Sequence, residues 1–114
     1  MKNLPTFESF LFESQAGINR NWLENLAGKI GKALGADVNG NPEDPAAENN
    51  SGLLLYFAAN CYNLQIDCTT LKMDPAKVDS IVDPIIKSYR AEAGVKCSGF
   101  RPNQGIRTVS VKAS

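Results

Sequence analysis

Ser51-Gly-Leu53-Leu-Leu-Tyr56-Phe57-Ala-Ala-Asn60-Cys61-Tyr62-Asn63-Leu64 is the stretch on which the reading of this chain turns. It is apolar nearly all round, and its leucine and alanine content favours a helix over residues 51–64, buried on several sides. Asn60 and Asn63 then require hydrogen-bond partners or an exposed edge. Gln65 to Thr69 alternates Ile66 and Cys68 with polar residues and reads equally as a brief strand or a turn.

On either side the helical signals are plainer. Asn21, with Glu24 three residues on, resembles a capping box and opens a helix over about 21–34. Its apolar stripe is Leu23, Leu26, Ala27, Ile30, Ala33 and Leu34, and Gly35 is the stop. Gly28 and Gly31 weaken it by about 1 kcal/mol each relative to alanine and suit a place where another backbone packs close. Asp74 followed by Pro75 caps a third helix, about 74–93, with Val78, Ile81, Val82, Ile85, Ile86 and Tyr89 as its core stripe. Pro84 lies off that stripe, and Gly94 ends the helix. The tail, about 95–112, reads as two extended segments around Pro102-Asn-Gln-Gly105, a β-ribbon that must pack on the helices or add to another chain's sheet.

The first fourteen residues form a separate amphipathic segment. Pro5 suits a first helical position, and Phe7, Phe10, Leu11 and Ser14 recur at i, i+3, i+4 and i+7. A short polar joint, Gln15 to Arg20, separates them from residue 21 onward. The expected architecture is therefore α+β but mainly α. Three to four helices carry a short C-terminal β-ribbon, with a docking segment at 1–14 and a single compact domain over 15–114.

With 114 residues the chain is one domain by length, and its 43% apolar and 21% charged residues are ordinary globular usage. The net charge is zero, yet residues 1–86 hold six Lys/Arg against eleven Asp/Glu, while residues 87–114 hold six against Glu92 alone. The basic end makes Lys96, Arg101, Arg107 and Lys112 candidate contacts for an acidic partner or nucleic acid; attraction between the two halves is the plainer reading. Three cysteines, Cys61, Cys68 and Cys97, without a secretory signal point to free thiols in a reducing cytoplasm. The longest apolar run, Leu53 to Ala59, falls far short of the roughly 20 residues that span a bilayer.

Catalytic chemistry is hard to find. The chain has no histidine, which removes the commonest general base and most zinc sites. Asp37, Asn39, Asn41 and Glu48 only partly follow a calcium loop, since Pro42 stands where the turn requires glycine. The loop over 36–51 is then an ordinary surface connection. Asp79 and Asp83 lie one helical turn apart and read as a solvated face rather than an acid–base pair. Gly28, Gly31 and Gly35 follow no strand and make no phosphate loop. The expectation is a protein that is not an enzyme and needs no cofactor, metal or small-molecule ligand.

Lys2 with Phe7-Glu-Ser-Phe10-Leu11-Phe12-Glu13-Ser14 resembles the capsid-targeting peptide of internal and prohead-core proteins in large contractile-tailed bacteriophages. That peptide carries an early lysine, two aromatics three apart, an aliphatic residue, any residue and glutamate. The resemblance implies docking to a head scaffold through Phe7, Phe10 and Leu11, and a cut by the head-maturation protease between Glu13 and Ser14. Ser14 departs from the family's usual alanine or glycine. The leading expectation is accordingly a non-enzymatic virion or head-assembly protein, in the host cytoplasm or the virion. One alternative is a cytosolic module that binds a protein through an apolar groove or by strand addition, and another is nucleic-acid binding by the basic tail.

Overall fold

The computed structural model describes residues 7–88, 96–97 and 105–113, of which 7–17 and 96–97 by backbone alone. In chain order the elements are α1 (Phe7–Leu34), β1 (Val38–Gly40), β2 (Leu53–Ala58), β3 (Cys61–Asp67), α2 (Cys68–Leu71), α3 (Pro75–Ser88), β4 (Lys96–Cys97) and β5 (Ile106–Lys112). The strands form one five-stranded sheet in the order β1-β2-β3-β5-β4. β1 runs parallel to β2, and every other pairing is antiparallel. The fold is a balanced α+β arrangement, which corrects the mainly helical expectation.

The correction comes from residues 51–64, which form no helix. They make most of the central hairpin, with Ala59 and Asn60 as a two-residue turn at φ 54° and 59°. Such a turn, with both central residues left-handed, matches the twist of paired strands. Tyr62, Leu64 and Ile66 face the helices and alternate with Asn63, Gln65 and Asp67, so the period-2 pattern runs through to residue 67. In β2 the alternation is hidden because both faces are covered. Leu53 and Leu55 join the helix-side core, while Leu54 on the other face is 2% exposed, with its side chain against Gly40 of β1. Asn63 is satisfied: its Nδ2 donates to the carbonyls of Ala58 and Cys61, and its Oδ1 accepts from Ser110 Oγ at 2.5 Å.

The C-terminal segments do pair with each other, but as part of this sheet rather than as a separate ribbon. β5 lies along β3 from Asp67↔Ile106 to Cys61↔Lys112, and β4 flanks it at the edge. Three rungs then face the helices: Leu53, Ile66 and Arg107; Leu55, Leu64 and Val109; Phe57, Tyr62 and Val111.

α1 covers those rungs with one stripe, Asn19, Leu23, Leu26, Ala27 and Ile30, all buried. It runs unbroken through residues 15–20, so the expected joint is absent and Asn21 caps nothing. Asn19 Nδ2 instead donates to the Lys112 carbonyl at 2.8 Å, which ties α1 to the last rung of the sheet. At its far end the Ala36 N–H donates to the Gly31 carbonyl at 2.9 Å, with Gly35 left-handed at φ 68°. A Cβ on Gly31 would stand 2.7 Å from the Ala36 carbonyl oxygen, whereas one on Gly28 would meet nothing within 4 Å.

α3 keeps most of the expected stripe as far as Ser88: Val78 and Val82 are fully buried, Ile85 and Ile86 pack at the margin of the core, and Ile81 is half-buried outside it. Pro84 stands within the helix. The expected continuation to residue 93, with Tyr89 and the Gly94 stop, lies outside the described residues. Asp67 ends β3 by capping α2, accepting from the Thr69 and Thr70 N–H groups at 3.0 and 3.4 Å.

The two glycines of α1 should respond oppositely to the same change. Gly28→Ala raises stability by about 0.5–1 kcal/mol, because it supplies helix propensity without a clash. Gly31→Ala lowers it. Urea unfolding of the two variants checks this, and equal responses would contradict the helix-end geometry.

Candidate functional site

Arg107 is the first sequence-predicted contact residue to be relocated. On β5 it shares a rung with Leu53 and Ile66, so its side chain enters from the helix side and is only 9% exposed. A guanidinium there must be paired, and α3 supplies the partners. Arg107 Nη1 lies 2.5 Å from Asp79 Oδ1, and Nη2 lies 2.7 Å from Asp83 Oδ1. Asp79 and Asp83 are thus more than a solvated face. They hold the buried arginine and fasten α3 to β5.

The pairing also bears on the basic tail. Arg107 is committed inside the protein and does not present its charge to nucleic acid or an acidic partner. Lys112 is exposed, and its carbonyl receives Asn19. Arg101 and the side chain of Lys96 lie outside the described residues.

The apolar run over 51–64, expected to be buried, is interior: Leu53, Leu55, Tyr62 and Leu64 belong to the core. Among the described residues the large apolar side chain that faces solvent is Ile18, 62% exposed and one residue ahead of the Asn19 anchor. Composition masks Ile18 within the polar stretch Gln15–Arg20, yet its spacing of i+7 from Leu11 and i+4 from Ser14 places it on their stripe. At 100° per residue, positions 7, 10, 11, 14 and 18 share one sector of α1. That sector lies about 150° around the helix from the stripe on the sheet. The side chains of Phe7, Phe10, Leu11, Glu13 and Ser14 lie outside the described residues.

Nucleophilic chemistry finds no support in the described thiols. Cys68 is buried, and burial pushes its thiol up to about 11, with Asp67, Asp79 and Asp74 adding to the rise. A thiol so placed keeps its proton at neutral pH and is a poor nucleophile. Cys61 is half-buried, and the side chain of Cys97 lies outside the described residues. Among the described residues no group of three or more His, Cys, Asp or Glu is placed to hold a metal ion. A shallow depression of about 430 Å³ by Gly28, Gly31 and Gly35 has Lys32 and Asp37 as its charged side chains. It follows from the close backbone at the helix end. Among the described residues no helix is long and apolar enough to cross a membrane.

Comparison with protein-family models, with curated proteins and with solved structures finds no match for this chain.

Replacing both carboxylates, Asp79→Asn with Asp83→Asn, strands the buried guanidinium and should cost about 2 kcal/mol. A fully buried pair costs roughly 3–5 kcal/mol, but these acids are half-wet. Arg107→Met, which removes the charge and keeps an apolar stem, should cost less than the double change; the reverse order in denaturant midpoints would contradict the clamp. In a Cys97→Ser background at pH 8, a disulfide reagent should label one thiol, Cys61, quickly and reach Cys68 only on unfolding. Two fast equivalents would contradict the burial of Cys68.

Proposed function

We propose that this chain is a non-enzymatic assembly protein of the phage head or virion type, attached to a larger partner through the N-terminal part of α1. The observation that carries the reading is Ile18, an apolar side chain left in solvent where α1 meets the sheet. By sequence spacing it continues the Phe7–Phe10–Leu11–Ser14 stripe, about 150° around α1 from the stripe that packs on the sheet. An amphipathic helix with apolar anchors at i, i+3, i+4 and i+11, here Phe7, Phe10, Leu11 and Ile18, suits a hydrophobic groove on another protein. The likeness of residues 2–14 to capsid-targeting peptides supplies the class of partner, a head-assembly scaffold. The same likeness carries the site of action, the host cytoplasm or the virion.

Two measurements test it. Incubated with the head-maturation protease of a large contractile-tailed phage, the chain should yield a product that starts at Ser14; an intact chain counts against the proposal. A fluorescent protein carrying residues 1–18, co-expressed with that phage's capsid and scaffold proteins, should enter the particles, and Ile18→Asp in that carrier should reduce its uptake. In the full chain the same change should alter stability by less than about 0.5 kcal/mol, because Ile18 is exposed. Uptake insensitive to Ile18→Asp and to Leu11→Asp would overturn the docking role.

A further inference from the structure

We draw no further inference here: the strongest candidate, the flank of α1 around the exposed Ile18 beside Trp22, belongs to the docking surface already proposed, and nothing in the structure shows what covers it.

Discussion

The antiparallel pairing of β2 with β3 is the constraint on which the rest of this structure depends. It aligns Leu53 with Ile66, Leu55 with Leu64 and Phe57 with Tyr62, and so creates an apolar face that neither strand has alone. β5 extends the face with Arg107, Val109 and Val111. The face is apolar except at one corner, and that corner dictates the position of α3. Arg107 requires two carboxylates, Asp79 and Asp83 present them one turn apart, and Val78 and Val82 on the same helix are buried in the core. Charge and packing thus fix α3 by independent means.

The same face commits α1 unevenly. From Asn19 to Ile30 one stripe is spent on the sheet, and the Asn19–Lys112 bond marks the sheet's last rung. At 1.5 Å per residue, Phe7 stands roughly 18 Å further along the helix axis than Asn19. A single straight helix cannot turn both of its apolar stripes, about 150° apart, toward one sheet. Ile18 shows the consequence at the first position whose side chain is described: it faces solvent. The exposure of Ile18, off the stripe that packs on the sheet, is the physical basis of the proposed docking role.

Some of this was legible in the residues. Asp74-Pro75 and the Val78–Ile86 spacing mark α3, and Leu23–Ile30 mark the stripe of α1, because each is amphipathic with one buried face. The central hairpin was not, since a strand buried on both faces loses its alternation and Leu53–Phe57 looks like any apolar run. The surviving alternation, Tyr62 to Asp67, is cut if a helix is taken through Leu64. The turn offers no help either, because Ala59-Asn60 lacks the glycine that usually announces such hairpins. The role of Arg107 depends on partners 24 and 28 positions away, which no local pattern connects. Ile18 carried a spacing signal that the polar residues around it concealed.

The most direct measurement is the unfolding free energy of a chain lacking residues 1–13, compared with the full chain in urea. If the leading stripe is uncommitted within this protein, the truncated chain folds with the same denaturant slope and a stability within about 1 kcal/mol of the parent. A loss of about 3 kcal/mol or more, the scale of emptying a core site, would place those aromatic residues inside the protein's own core and contradict the account.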